Sequence, residues 1–288
     1  MEIQIFIQLI LNGIMIGATY GLIVSGLTLV FSIMRIINFA HGELYMLGGF
    51  TTYYLFAVAK VPYVVTLFLA ALTLGLLGLI LERLIFRPFR GHLLGAFIVS
   101  LGLSRFFQNS AQQAFGLTEK SIPSTFTGKF VVGSVSFPAE RVAIVLISIA
   151  ILIGLHTFLQ RLKVGQAMRA VAQDSEAALL GGIRINHISG LALALGSGLA
   201  GLAGALLGPV FYVDPWIGGP VILKTFVIII VGGMGSIPGA ILAAFIFGFI
   251  ESFGGFYFGP AIVTTIFFGA LILILLVRPK GLLGYEET

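Results

Sequence analysis

Long apolar runs, each about the length of a membrane crossing, dominate this sequence and are separated by shorter polar stretches. A bilayer core of roughly 30 Å needs about 20 helical residues to cross it. Only 9% of the 288 residues are charged and 58% are hydrophobic, which leaves too little polar surface to cover a water-soluble globule. The sequence therefore predicts an all-α fold, a polytopic transmembrane helical bundle.

Seven of the apolar runs predict ordinary spans. They are Ile3–Val24, Leu44–Ala59, Val61–Leu81, Leu93–Phe115, Val142–Leu159, His187–Gly208 and Ile262–Val277. Within the sixth run, small residues recur every four positions at Ala192, Gly196, Ala200, Gly204 and Gly208, a pattern that predicts close helix packing in lipid.

Two further runs, Leu27–Gly49 and Val221–Ser252, are irregular. The first carries four polar residues between apolar flanks: Arg35, Asn38, His41 and Glu43. The second is too long for one span and contains the glycines and proline of residues 232–239. Such interruptions indicate broken or re-entrant helices. We expect one domain over residues 1–288 with eight to ten membrane segments.

Basic residues are concentrated in three groups between or after the spans. These groups are Arg83, Arg87 and Arg90; Arg161, Lys163, Arg169 and Arg184; and Arg278 and Lys280. The loop Gly116–Arg141 is almost balanced in charge. Because basic loops stay in the cytoplasm, this distribution predicts an outside N-terminus and a cytoplasmic C-terminus. The basic residues form no continuous stripe, so nucleic acid is not an expected partner.

The segment 161–185 is a polar stretch between two spans. Residues Met168–Leu180 predict one amphipathic helix of about 20 Å, which is too short and polar to cross a bilayer. One face of this helix carries Met168, Val171, Ala172, Ser175 and Leu179 at helical spacing, and Gly181 and Gly182 are expected to end it. We expect Arg169, Gln173, Asp174, Glu176, Ala177, Gly181 and Gly182 to form a contact surface for a cytoplasmic partner. The alternative is a solvated loop.

Motifs of catalysis and cofactor binding are missing from this sequence. There is no GxxxxGK[ST] phosphate loop, no HExxH and no GxSxG, and there is no cysteine. The four histidines are too dispersed to indicate a zinc site. We therefore expect no catalytic residue, no metal site and no cofactor on this chain.

Polar residues inside the apolar runs have two interpretations, a translocation path or an internal polar network. The candidates are Arg35, Asn38, His41 and Glu43; Arg105, Gln108, Asn109 and Gln112, which recur at helical spacing; and Gly232, Gly233, Gly235 and Ser236. For the first set we favour a network in which Glu43 neutralises Arg35. The other two sets remain open.

Four sequence strings carry a family resemblance. INFAHGELYMLGG (37–49), RAVAQDSEAALLGG (169–182), VGGMGSIPGAILAAFIFGFIE (231–251) and RPKGLLG (278–284) closely resemble the permease subunits of bacterial ABC importers for branched-chain amino acids, the LivH-type family. The resemblance covers nearly the whole chain. EAALLGG also fits the EAA-x-x-x-G core of importer permeases, although the usual hydrophobic-proline continuation is absent.

The resemblance implies a subunit of an importer in the bacterial inner membrane. Such a permease forms the translocation path beside a second permease subunit of the LivM type. It works with two cytoplasmic ATPase subunits, which bind ATP and Mg, and with an extracytoplasmic solute-binding protein.

Three alternatives are open. One is a permease of the same class for urea, short amides or another amino acid. Another is an ATPase-independent secondary transporter or channel, for which Glu43 and Glu251 are the candidate ion-coupling carboxylates. The third, a membrane enzyme, lacks a catalytic constellation.

Overall fold

The computed structural model describes residues 2–126, 128–132, 135–278 and 280–284, and it confirms the helical membrane bundle. The main helices are α1 Glu2–Met34, α2 His41–Thr52, α3 Tyr63–Leu81, α4 Leu93–Phe115, α5 Ala139–Arg161, α6 Lys163–Gln173, α7 Ser175–Leu180, α8 Ile185–Leu207, α9 Gly218–Gly232, α10 Ile237–Phe258 and α11 Pro260–Val277. Short π-helical turns follow α2 (Tyr53–Val58) and α3 (Glu82–Phe86), and a 3₁₀ turn spans Arg87–Phe89.

A small antiparallel hairpin, β1 Lys129–Val132 and β2 Val135–Pro138, marks one end of the bundle, which we call the hairpin end. The first residue of α3, Tyr63, lies there, because its ring packs on Phe126 with 5.8 Å between ring centroids. Arg141 at the start of α5 hydrogen-bonds to Asn12 of α1. Helices α3 and α5 therefore both begin at the hairpin end and run away from it.

The opposite end holds the polar helices α6 and α7. Arg90, which follows the 3₁₀ turn after α3, hydrogen-bonds there to Asn186 at the start of α8. Helix α4 must then cross back to the hairpin end, where Phe115 stacks on Phe50 of α2 with 4.4 Å between ring centroids.

Six helices in the described part of the chain are long and apolar enough to span a bilayer. They are Ile3–Met34, Tyr63–Phe89, Ala139–Arg161, Ile185–Leu207, Ile237–Phe258 and Pro260–Val277. The predicted spans Leu44–Ala59 and Leu93–Phe115 are not among them. The first is the 12-residue α2 with its π-helical turn, and the second is α4, which is long enough but too polar.

Helix α1 differs from the sequence expectation. We expected a span that ends at Val24 and an irregular segment from Leu27, but the helix continues unbroken to Met34. Gly26 does not interrupt it because this position packs directly on Gly196 of α8, whose carbonyl oxygen lies 2.8 Å from where a Cβ on Gly26 would sit.

The core lies where α1, α2, α3, α8 and α10 meet. The predicted small-residue stripe of α8 is buried there, with Gly196 against α1 and Gly204 against the carbonyl of Tyr45 in α2. Such close backbone approach stabilises helix pairs in lipid through contact alone.

Candidate functional site

The polar segment between α5 and α8 forms two helices, α6 and α7, and the single helix expected over Met168–Leu180 is wrong. Asp174 separates them in an extended conformation, with φ −150° and ψ 107°. Its carboxylate accepts hydrogen bonds from the amides of Glu176 at 2.9 Å and Ala177 at 3.0 Å. Asp174 is therefore the N-cap of α7, and its side chain satisfies amides that would otherwise be unpaired.

The break at Asp174 changes which side of the chain is buried in α6 and in α7. Gly165, Met168 and Val171 are buried in α6, but in α7 the buried residue is Ala178 instead of Leu179. Helix α6 packs against α1, α5 and α8. The two helices therefore rest on the bundle along a face that changes direction at Asp174.

The predicted contact residues lie on the outer side of this helix pair. Arg169, Gln173, Asp174, Glu176 and Ala177 are all exposed. Two apolar side chains at the end of α7 join them, since Leu179 is 59% and Leu180 is 90% exposed. The helical pattern predicts Leu179 on the inner face, which is wrong, and it gives no signal for Leu180.

Gly181 and Gly182 end α7 as expected. Gly182 has φ +81°, the left-handed conformation that glycine adopts at helix ends, and its amide donates to the Leu179 carbonyl at 2.9 Å. Both glycines are also exposed.

A buried acid that the sequence analysis missed anchors the neighbouring loop. Glu82 is fully buried, and its carboxylate pairs with Arg87 at 2.9 Å and with Arg90. Arg90 also contacts Asn186 at the start of α8. Arg87 and Arg90, two residues of the first basic group, therefore tie α3 to α8 close to the α6–α7 pair.

The first predicted break is present at residues 35–40. Arg35 ends α1 with φ +50°, and α2 begins at His41. The loop is held by α4, because the Ser100 hydroxyl donates to the Ile37 carbonyl at 3.2 Å and accepts from the Phe39 amide at 3.1 Å. Arg35 is exposed.

The polar side chains after this break are buried and only partly paired. Asn38 accepts from the Ala40 amide, and His41 Nε2 lies 3.2 Å from the Ile23 carbonyl. Glu43 accepts from the Ser104 hydroxyl at 3.1 Å, and the expected ion pair between Glu43 and Arg35 is not observed among the described residues. One atom of each lacks a hydrogen bond in the described part of the chain: Asn38 Nδ2, His41 Nδ1 and Glu43 Oε2.

Glu43 lies where the first turns of α2 and α9 meet. Its Oε2 is 2.5 Å from the position that a Cβ on Gly218 would occupy, so only glycine fits there. The carboxylate therefore lies against the N-terminus of α9, where the helix dipole favours negative charge.

Helix α4 carries the second set of predicted polar residues. Arg105 Nη1 donates to Gln108 Oε1 at 2.8 Å, and Asn109 Nδ2 donates to the Arg105 carbonyl at 2.9 Å. Gln108 is buried, Arg105 and Asn109 are exposed, and Gln112 Nε2 is buried with no hydrogen bond among the described residues. Helical spacing puts all four on one side of α4, which changes from buried at Gln108 to exposed at Arg105 and Asn109.

The third set, around Gly232, forms the break between α9 and α10. Gly233 and Gly235 have φ +104° and +92°, and Ser236 caps α10 by accepting from the Gly239 amide at 3.3 Å. Ser32 at the end of α1 donates to the Gly235 carbonyl at 3.3 Å. The predicted broken helix is confirmed, and it lies at the end opposite the hairpin.

The C-terminal segment closes this break. The amide of Leu282 donates to the Val231 carbonyl at 2.8 Å, and that of Leu283 donates to the Gly232 carbonyl at 3.1 Å. These are carbonyls at the end of α9 that have no intrahelical donor. The sequence strings around Gly232 and after Arg278 therefore form one structural unit.

Sequence analysis missed an ion pair within the apolar helices. Lys224 of α9 donates to Glu251 of α10 at 2.6 Å, and the Tyr20 hydroxyl of α1 donates to the other carboxylate oxygen at 2.5 Å. The signal for this pair was the presence of one Lys and one Glu inside otherwise apolar sequence, since isolated opposite charges in membrane helices tend to pair. No group of three His, Cys, Asp or Glu side chains suited to a metal ion occurs among the residues that the structure describes.

Comparisons with known proteins find relatives that cover nearly the whole chain. Residues 9–276 match the family model described as the branched-chain amino acid transport system / permease component. The chain is 36% identical to the high-affinity branched-chain amino acid transport system permease protein BraD of Pseudomonas aeruginosa, covering 100% of this chain and 98% of that one. No solved structure matches the chain.

Two LivH permease proteins are also similar. The high-affinity branched-chain amino acid transport system permease protein LivH of Escherichia coli (strain K12) is 35% identical, with 98% of this chain and 97% of that one covered. The probable LivH of Methanocaldococcus jannaschii is 28% identical over 97% of this chain and 93% of its own length. This chain therefore belongs to the family of permease components of branched-chain amino acid transport systems.

Proposed function

We propose that this chain is a permease subunit of an ATP-driven importer for branched-chain amino acids, and that α6 and α7 transmit the work of two cytoplasmic ATPase subunits. The observation that carries this proposal is the exposed outer side of the α6–α7 pair, which joins charged residues to the apolar tip at Leu179 and Leu180. An amphipathic helix of this kind suits docking in a groove of a partner protein.

Movement of the docked pair would reach the membrane helices directly. Helix α6 packs against α1, α5 and α8, and Gly165 sits so close to the Phe158 carbonyl of α5 that a Cβ would overlap it. A tightly packed contact transmits a displacement instead of absorbing it. ATP and Mg belong to the ATPase subunits, an extracytoplasmic binding protein delivers the substrate, and a second permease subunit of the LivM type completes the path.

In this arrangement the chain lies in a bacterial inner membrane with its hairpin end outside and α6, α7 and residues 278–284 in the cytoplasm. The concentration of basic residues at the α6–α7 end supports this orientation. The alternative cargo is urea or a short amide, carried by a permease of the same class.

An ATPase-independent carrier or channel is the second candidate. It would use a membrane-buried carboxylate for ion coupling. Glu251 is already paired with Lys224 and Tyr20, so Glu43, with its unpaired Oε2, is the residue that favours this reading.

Uptake of radiolabelled leucine into proteoliposomes tests the proposal. The chain is reconstituted with its candidate second permease, ATPases and binding protein, and wild type is compared with Arg169→Glu and Glu176→Arg. We expect ATP-dependent uptake in wild type and loss of uptake in both variants, with Arg169→Lys and Glu176→Asp as charge-conserving controls that retain it. Leucine uptake without the ATPase would favour the carrier, and urea uptake in place of leucine would change the cargo.

A further inference from the structure

Helix α4 extends from one end of the bundle to the other and has an uncovered face that carries polar side chains. It runs from the Arg90 loop to the hairpin end, and its substantial contacts are with α2 and with the two short helices 82–86 and 87–89. The uncovered face carries Gly102, Phe106, Asn109, Ser110 and Gln113. The side chain of Phe106, the largest of these residues, is 63% exposed.

Apart from the Asn109 amide nitrogen, the polar side-chain groups on this face make no hydrogen bond in the described part of the chain. Asn109 donates to the Arg105 carbonyl through its amide, whereas the Ser110 and Gln113 side chains make no hydrogen bond there. Exposed threonines on other helices behave differently. Thr73 on α3 and Thr264 on α11 each donate to a carbonyl of their own helix.

Lipid is a poor environment for such a face. An amide group moved from water to hydrocarbon without a hydrogen bond costs several kcal/mol, because the acyl chains offer neither donors nor acceptors. The face of α4 therefore needs a neighbour that supplies hydrogen bonds at the same depth of the membrane.

Gly102, on the same face, leaves room for another helix to approach closely. Most glycines of the central helices face backbone or side chains of this chain, as Gly26 faces Gly196 and Gly48 faces Gly201. Gly102 has no atom within 4 Å of the position where its Cβ would sit. A glycine next to exposed amides on a membrane helix suits close packing and hydrogen bonding with a second helix. The exposed Phe106 ring between them suits a protein contact better than a water-filled path.

We propose that the α4 face made of Gly102, Phe106, Asn109, Ser110 and Gln113 is the contact surface for a transmembrane helix of the second permease subunit, which hydrogen-bonds to Asn109 and Gln113. The proposal rests on the proposed function, which supplies that subunit. It assigns the permease–permease contact to a particular side of the bundle, with Phe106 inserted between the two chains.

A photo-crosslinking phenylalanine analogue placed at Phe106 tests this surface in the assembled importer. The matched control is the same analogue at Phe68 on α3, which is 67% exposed, lies among apolar residues and also sits in the hairpin-end half of its helix. We expect a covalent adduct with the second permease from position 106, identified by mass spectrometry, and lipid adducts from position 68. Lipid adducts alone at position 106, or adducts with another copy of this chain, would overturn the proposal.

Polar-to-apolar variants test the role of the amides. The double variant Asn109→Leu/Gln113→Leu should lower the yield of co-purified second permease roughly eightfold, which corresponds to two lost interhelical hydrogen bonds of about 0.6 kcal/mol each. Phe68→Leu should leave the yield unchanged. An unchanged yield in the double variant would contradict hydrogen bonding by these amides. Leucine uptake by the same preparations reports separately on the proposed function, since crosslinking without ATP-driven uptake refutes the function and not the interface.

Discussion

At the scale of single residues, Asp174 shows how a residue chosen as a contact site has a structural role as well. Its carboxylate caps α7 through two backbone amides, and its exposed position leaves it accessible to the proposed ATPase partner. The two roles make different demands on the side chain. A cap needs only an acceptor oxygen, whereas pairing with a cationic partner needs the charge.

Replacing Asp174 separates these roles. Asp174→Ala should destabilise α7 by about 1 kcal/mol, because the Glu176 and Ala177 amides lose their acceptor. We expect faster amide hydrogen exchange over residues 175–180 and reduced ATP-driven uptake. Asp174→Asn keeps an acceptor and should retain most of both properties. Equal losses in the two variants would instead assign the effect to the charge.

Glycines in the core give the second prediction at this scale. A Cβ at Gly204 would overlap the Tyr45 carbonyl of α2, so Gly204→Ala forces α8 and α2 apart. Overpacking of this kind costs about 1–3 kcal/mol, and backbone atoms give way less easily than side chains. We expect a lower thermal unfolding temperature in detergent and less protein in the membrane.

Gly154 on α5 is the matched control, because no atom lies within 4 Å of its Cβ position. Gly154→Ala should leave the unfolding temperature nearly unchanged. A Gly204→Ala protein as stable as Gly154→Ala would show that the α2–α8 contact is looser than the structure indicates.

At the scale of elements, the Lys224–Glu251 pair ties α9 to α10, and Tyr20 adds α1. Breaking a buried pair by removing one partner costs about 3–5 kcal/mol, but these side chains are 22% and 24% exposed, so a smaller loss is expected. Lys224→Met and Glu251→Gln should each lower the unfolding temperature. The double variant should recover part of the loss, since no charge is left unpaired.

A double-mutant cycle on the purified protein measures this coupling. Additive losses would mean that the two side chains act independently and that the pair does not hold α9 against α10.

The C-terminal segment gives a second prediction about elements. Gly281 has φ +75° and lies against the Ile230 carbonyl of α9, at 2.6 Å from its Cβ position. Gly281→Ala adds a clash to the cost of a left-handed conformation and should release the segment from the end of α9. Faster hydrogen exchange over residues 230–236 would report that release.

Gly91 has a similar φ of +78° but open space around its Cβ position. Gly91→Ala therefore isolates the conformational cost, and it should leave exchange over residues 230–236 unchanged. Equal exchange in the two variants would contradict the role of residues 281–283 in closing the break.

The positions of the helix breaks could be predicted from the sequence better than the side-chain pairs that join different helices. Glycines, a proline and charges interrupt apolar runs, so the breaks near Asn38 and Gly233 could be located from local composition. The break at Asp174 was missed because apolar spacing continues through it, and an N-cap inside an apparent helix is a local hydrogen-bonding choice. The Lys224–Glu251 pair joins residues from different helices, and spacing along the chain carries no information on which helices become neighbours.

At the scale of the whole molecule, the two ends of the helical bundle differ in their charged residues. The hairpin end has Lys60, Lys120, Lys129 and Arg141, with Glu119 and Glu140 among them. The opposite end holds the three basic groups that the sequence singled out, although Arg87 and Arg90 there pair with the buried Glu82. This pairing does not weaken the inference of orientation, because the positive-inside bias depends on Lys and Arg and only slightly on acids.

Single cysteines can determine the orientation, because the chain has no natural cysteine. Ser121 lies at the hairpin end and His92 at the opposite end, and both are exposed. If basic loops hold the α6–α7 end in the cytoplasm, a membrane-impermeant maleimide should label Ser121→Cys in intact spheroplasts and His92→Cys only after the membrane is permeabilised. The reverse pattern would place α6 and α7 outside, away from any ATPase, and would refute the proposed coupling together with the orientation.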